Sequence, residues 1–126
     1  MYSPRNAKNR VFAKGRLPSG TMNKTETAYA AYLTESTMAG EVVWWKFEAI
    51  NLRLADRTFY APDFLVMRPD GSLEVHEVKG AKAIFQDDAK VKIKVAAAMY
   101  PFLFVAVYPK PKKDGGGWLW ECVGTE

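Results

Sequence analysis

Pro62-Asp63 and, fourteen residues after that aspartate, Glu77-Val78-Lys79 are the residues whose types and spacing can do chemistry. They fall within the stretch YAPDFLVMRPDGSLEVHEVKG. Two carboxylates brought together repel unless a cation stands between them, so a divalent ion is the physically reasonable occupant. Asp63, Glu77 and the carbonyl of Val78 would hold that ion against a non-bridging phosphate oxygen, where it acidifies a water. Lys79 would orient the water or neutralise the charge that develops in the transition state. Pro62 fixes φ and lacks a donor, which suits a strand that bends just before such a site. Glu and Lys also alternate on solvated strand faces, where they do nothing of the kind. The apolar neighbours Phe64, Leu65, Val66, Val75 and Val78 argue for a buried hairpin instead, and buried charges need partners or a metal.

The elements that must position these residues follow from local pattern. Residues 1–21, with Pro4, Gly15, Pro18 and Gly20 among the charges, read as a basic, irregular arm, and residues 22–126 as one domain. A helix is predicted to start at Asn23 or Thr25, with Asn23-x-x-Glu26 in the form of a capping box, and to end at Gly40. Residues 42–54 are rich in β-branched and aromatic types and predict one long strand with a bulge. Asp56-Arg57 marks a turn, and residues 59–67 the next strand. Pro69-Asp70-Gly71-Ser72 makes a hairpin turn, and residues 73–79 pair back. A turn centred on Asp70-Gly71 would set Asp63 opposite a residue near Lys79, within one cross-strand neighbour of Glu77. A second helix is expected from Asp87 or Asp88 to Tyr100. Residues 102–108 (FLFVAVY) have the continuous apolar character of an inner strand, and residues 118–123 that of an edge strand. The expected order is α-β-β-β-α-β-β.

Further candidates come from these elements. The inward stripe of the first helix runs Glu26, Tyr29, Ala30, Leu33 and Thr37, so Glu26 can serve as cap, as metal ligand, or as both. In the second helix, Val91, Val95, Ala98 and Met99 are expected to face the core, with Lys92 inside that arc as a second active-site cation. Snorkelling to solvent is its bland alternative. Lys90 and Lys94 share an outer face from which they can meet backbone phosphates. His76 is expected to face away from the site and to be structural. Trp44 and Trp45 read as core aromatics, and Cys122 as a small packed side chain.

Composition sets the limits. The chain has 126 residues, room for one core, and no apolar run long enough to span a membrane. No signal-peptide core is visible at the N-terminus, so an intracellular, cytoplasmic protein is expected. One cysteine and one histidine cannot by themselves form a zinc site, so a metal would be a hard cation on oxygens, Mg²⁺ or Mn²⁺. The net charge of +4 is uneven. Arg5, Lys8, Arg10, Lys14, Arg16 and Lys24 precede the first acid, a pattern that suits phosphate contacts or a solvated tail.

On Glu26, Pro62-Asp63, Glu77-Val78-Lys79 and the lysine-bearing helix after them, the chain resembles the PD-(D/E)xK nuclease superfamily. It is similar in particular to a small phage and prophage family of uncharacterised proteins with an NKTE helix start, a YxPDF strand and an EVKG strand. The likeness covers roughly residues 22–108. It implies an α/β, restriction-endonuclease-like core with a mixed central sheet flanked by helices. It also implies Mg²⁺-dependent hydrolysis of DNA, of flaps or four-way junctions in some members, in phage recombination, replication or repair. The metal would fall on Glu26, Asp63, Glu77 and Val78, and catalysis on those acids with Lys79 and Lys92. DNA contacts would fall on Arg5, Arg10, Lys14, Arg16, Lys24, Lys90 and Lys94. A homodimer, in the host cytoplasm if phage-encoded, fits the same picture. Many members carry a glutamine in the second helix; here Gln86 stands at its start, so Gln86, Lys92 and Lys94 compete for the fourth motif. A non-catalytic nucleic-acid-binding module on the same fold is the alternative, and a plain interaction protein with a polar hairpin a third.

Overall fold

The computed structural model describes residues 20–80 and 87–124. Arg5, Arg10, Lys14, Arg16 and Gln86 lie outside them, as does nearly all of the basic arm.

Helix α1 (Lys24–Met38) begins on the expected box. Asn23 Oδ1 accepts from the Glu26 N–H at 2.8 Å, and Glu26 Oε1 accepts from the Asn23 N–H at 2.9 Å. It ends before Gly40, whose φ of +81° reverses the chain. The predicted long strand is two strands. β1 (Trp44–Phe47) and β2 (Leu52–Ala55) belong to different sheets. The break is at Glu48, a non-glycine residue with φ +49°, whose N–H is bonded to the Asp63 carbonyl at 2.7 Å. The expected irregularity, where the alternation breaks between Ala49 and Ile50, falls in this interruption, and a separate register shift lies inside β2 between Arg53 and Ala55. Residues 59–67 likewise divide, into β3 (Thr58–Tyr60) and β4 (Phe64–Met67), because Pro62 cannot donate to a ladder. β5 (Leu73–Val78), α2 (Asp87–Met99), β6 (Leu103–Pro109) and β7 (Trp118–Val123) complete the chain.

The main sheet is mixed, ordered β1-β4-β5-β6-β7, with β5 and β6 parallel through the α2 crossover and the other neighbours antiparallel. The expected α-β-β-β-α-β-β order thus gains two strands, because the β2–β3 hairpin is interposed between β1 and β4. Alternation divides the core in two. Phe64, Val66, Val78, Val105 and Val107 pack on Tyr29 and Leu33 of α1. Leu65, Val75, Phe104, Ala106 and Tyr108 pack on Ile93 and Ala96 of α2, with Leu52 and Tyr60 of the small sheet. A helix therefore covers each face. β6, buried on both, reads as a continuous apolar run.

The roll of α2 differs from expectation. Val91, Val95 and Met99 are exposed, and Ile93 and Ala96 face the sheet. Small alanines let a helix lie close to a sheet, and that closeness outweighs the larger Val/Met stripe. Lys92 consequently lies on the exposed side of α2. Cys122, expected to be packed, is exposed on β7. Trp44 is partly exposed at 40 %, while Trp45 packs on Phe64. Among the described residues, no helix is long and apolar enough to cross a membrane.

Candidate active site

The β4–β5 ladder is centred on Asp70, with Met67 opposite Leu73 and Phe64 opposite His76. One step beyond, Asp63 stands opposite Glu77 rather than near Lys79. The turn holds this register: Asp70 Oδ1 accepts from the Ser72 N–H and hydroxyl at 2.9 and 2.7 Å, and Gly71 takes φ +86°. Asp63 and Glu77 thus meet at the open end of the hairpin, on the Val75 face of the sheet.

Every oxygen contact there is short. Asp63 Oδ2 accepts from the Val78 N–H at 2.8 Å. Glu77, only 6 % exposed, accepts from the Tyr60 hydroxyl at 2.7 Å through Oε1 and pairs with Lys79 Nζ at 3.0 Å through Oε2. Burial, then the Glu77 charge, pushes the Asp63 carboxyl far above the usual carboxylate range; the Val78 N–H and Lys79 only partly offset this, and Glu26 adds to it. Burial and Glu77 also raise the Tyr60 hydroxyl, which keeps it a donor. Burial alone would lower Lys79; the charge and hydrogen bond of Glu77, with Asp63 and Glu26, more than reverse that and raise it. Two carboxyl groups side by side, beside one ammonium, form a hard-oxygen donor set that fits Mg²⁺ or Mn²⁺. Among the described residues, no group of three or more His, Cys, Asp or Glu side chains is gathered closely enough to hold a metal, so protein ligation would rest on two carboxylates and backbone.

The remaining predicted residues are placed as follows. Glu26 caps α1, and its charge reaches both Asp63 and Lys79. Val78 enters through its N–H. Lys92 Nζ donates to the Phe59 carbonyl at 3.0 Å, clasping α2 to β3 rather than entering the site. Lys24, Lys90 and Lys94 are exposed. Tyr60 was not foreseen. Its signal was a tyrosine two residues before Pro62, since a buried tyrosine hydroxyl needs a partner.

The opposite face of β5 carries a second polar cluster. His76, 1 % exposed, does face away from the carboxylates as expected. The Tyr29 hydroxyl meets its Nδ1 at 2.7 Å, and its Nε2 meets Glu74 Oε1 at 2.9 Å. Trp120 Nε1 donates to the Tyr29 oxygen at 2.9 Å, and Arg68 Nε donates to Glu74 Oε2 at 3.0 Å. The order that leaves no proton unpartnered runs Trp120 to Tyr29 to Nδ1, then Nε2–H to Glu74. The His76 hydrogen bond, joined by Arg68, holds the Glu74 carboxyl down at about 2 against the opposing effect of burial.

No family model matches this chain, and no curated protein or solved structure matches it.

Proposed function

We propose that this protein is a Mg²⁺- or Mn²⁺-dependent endonuclease that hydrolyses phosphodiester bonds in DNA, selective for flapped or branched substrates, on a restriction-endonuclease-like core. The observation that carries this reading is the meeting of Asp63, Glu77 and Lys79 at the end of β5, where the Asp63 carboxylate is buried against a second carboxylate. Two helices flanking a mixed sheet, with the site at the end of an inner strand, support the core assignment. Asp63, Glu77 and the Val78 carbonyl would hold the cation, which when bound polarises a phosphate oxygen and lowers the pKa of an attacking water. Lys79, kept protonated beside Glu77, neutralises charge that develops on the phosphate. Tyr60 and the Val78 N–H fix the two carboxylates. Glu26 adds negative charge at the start of α1.

The test is cleavage of linear, flapped and four-way DNA in Mg²⁺ or Mn²⁺. Wild type is expected to cut, and Asp63→Ala and Lys79→Ala to lose about 10²–10³-fold or more in rate while still binding DNA. A wild type that cuts none of these substrates, or an Asp63→Ala that cuts as well as wild type, removes the proposal. One observation favours a non-catalytic nucleic-acid-binding module: both Glu77 oxygens already have partners within the protein. That reading predicts DNA binding without cleavage.

A further inference from the structure

A groove of about 590 Å³ runs between α1 and the β6–β7 connection, on the face of the sheet opposite the carboxylates. Tyr32, Trp118 and Trp120 line it, and Ala28 and Ala31 leave it open along the helix. The aromatic wall is built rather than merely uncovered. Trp120 is 43 % exposed, yet its indole N–H is tied to the buried Tyr29 hydroxyl, which is tied to His76. Tyr32 stacks on Tyr29 with ring centroids 5.5 Å apart and lies 5.5 Å from the Trp120 ring. Such rings present flat faces to solvent with little freedom left to lose on binding.

The other wall is bare, and the lysines of its loop stand beside the lining, whose one charged residue is Glu35. Gly116 and Gly117 line the groove with φ of +67° and +79°, and no atom stands within 4 Å of where their Cβ atoms would be. Bonds from the Gly116 N–H to the Pro111 carbonyl and from the Lys110 N–H to the Gly117 carbonyl hold this loop. Lys110, Lys112 and Lys113 project from it, exposed, against one acid of the loop, Asp114. Aromatic faces beside a short lysine run match the alternation of bases and phosphates in an unpaired strand. Glu35, which also lines the groove, can accept from a base amino group but would repel a phosphate. It therefore sets which side the backbone takes.

The geometry points to this groove as the binding site for a single-stranded segment of nucleic acid, its bases stacked on Tyr32, Trp118 and Trp120 and its phosphates against Lys110, Lys112 and Lys113. This deepens the nuclease reading and rests on it for the substrate. Val78, at the site, pairs with Val107, which pairs with Trp120. Two inter-strand spacings, roughly 10 Å, separate the backbones of β5 and β7, but the site and the stacking wall lie on opposite faces of the sheet, so a strand filling both must pass around its end. A substrate that presents an unpaired strand beside a scissile bond fits both.

The experiment is fluorescence anisotropy of the full chain in EDTA with a labelled oligothymidine of about 12 nucleotides. An abasic oligomer of equal length and a blunt duplex are the comparisons. Oligothymidine is expected to bind and quench tryptophan emission, and the abasic strand to bind about tenfold more weakly or worse. Tyr32→Ala should weaken binding by a similar factor. Paired Lys112→Glu and Lys113→Glu substitutions should weaken it and flatten its salt dependence. Trp120→Phe, which keeps a ring but not the N–H, guards against loss of fold and should retain most of the affinity. Equal binding of the abasic strand, preference for duplex, or unchanged affinity in Tyr32→Ala overturns the groove. Because cleavage plays no part in this measurement, a protein that binds oligothymidine as expected but cuts nothing in Mg²⁺ keeps the groove and loses the nuclease. One that cuts but fails to bind the oligomer does the reverse.

Discussion

His76 and Glu77 are adjacent on β5, almost equally buried, and built into opposite kinds of polar cluster. On the α1 face, His76 links Tyr29 to Glu74, and Arg68 matches the Glu74 charge. On the α2 face, Glu77 and Asp63 bring two carboxylates to one ammonium, and burial raises the cost of ionising Asp63. Neither cluster leaves a group unsatisfied: among the described residues, no buried side-chain nitrogen or oxygen lacks a hydrogen-bond partner. Hydrogen-bond satisfaction alone therefore does not separate scaffold from site. The balance of charge does. A cluster whose charges balance stabilises the fold, whereas one holding a second carboxyl that resists ionisation is poised for something that supplies positive charge.

The contrast can be broken most severely at His76. His76→Ala removes a fully buried ring and strips partners from Tyr29 and Glu74, so a loss of about 3–5 kcal/mol is expected in urea unfolding. A loss below about 1 kcal/mol would show that the α1-face cluster is not scaffold. Next comes the cation. At a concentration about 100 times its Kd, Mg²⁺ or Mn²⁺ should stabilise the wild type by about 2.7 kcal/mol. Chelation should reverse the gain, and Asp63→Asn should abolish it; an unchanged melting temperature in the wild type would leave the α2-face cluster without its proposed occupant.

Asp63→Asn should itself stabilise the metal-free protein, by about 1–2 kcal/mol at neutral pH, because it keeps an acceptor for the Val78 N–H and removes the cost of holding a raised-pKa carboxyl protonated in the folded state. Destabilisation would erase the difference between the two faces. The smallest effect is in acid. The folded Glu74 pKa is depressed, so its contribution is fully present above its unfolded pKa near 4. It is lost as pH falls through about 2. Allowing for solvent screening, the difference between wild type and Glu74→Gln should shrink by about 1 kcal/mol over that window. A constant difference would separate Glu74 from the His76 chain.

Features written in nearby residues were legible from the chain alone. The Asn23–Glu26 box, the Pro69–Ser72 turn and the apolar run of β6 are local, and each stands where expected. A bulge in residues 42–54 and a bend at Pro62 were also signalled, but not that each ends a strand and hands the chain to the other sheet, because Glu48 takes a positive φ with no glycine to announce it and its partner is the distant Asp63 carbonyl. The roll of α2 was misjudged because its Val/Met stripe is the more hydrophobic one, while the sheet selects the side that packs closest. Of the site, Asp63, Glu77 and Lys79 were visible as types and spacing. Their register is centred on Asp70 rather than between Asp70 and Gly71, one residue from expectation, and the Tyr60 clamp lay beyond the motif. The basic arm and Gln86 fall outside the described residues.

The bond from the Glu48 N–H to the Asp63 carbonyl closes the β2–β3 excursion at its base, while β1 and β4 stay paired beneath it. Loop-closure entropy grows slowly with length, by roughly 0.6 kcal/mol per doubling, so the fold tolerates hairpins of many sizes at this point. The turn of the excursion, at Asp56 and Arg57, is thus the place where length can change. An engineer could lengthen the hairpin there and keep Leu52 and Tyr60 in the core, the hydroxyl of Tyr60 on Glu77 and the clasp of Lys92 on Phe59. Variation in this segment would retune the carboxylate site from above without rebuilding the platform below it.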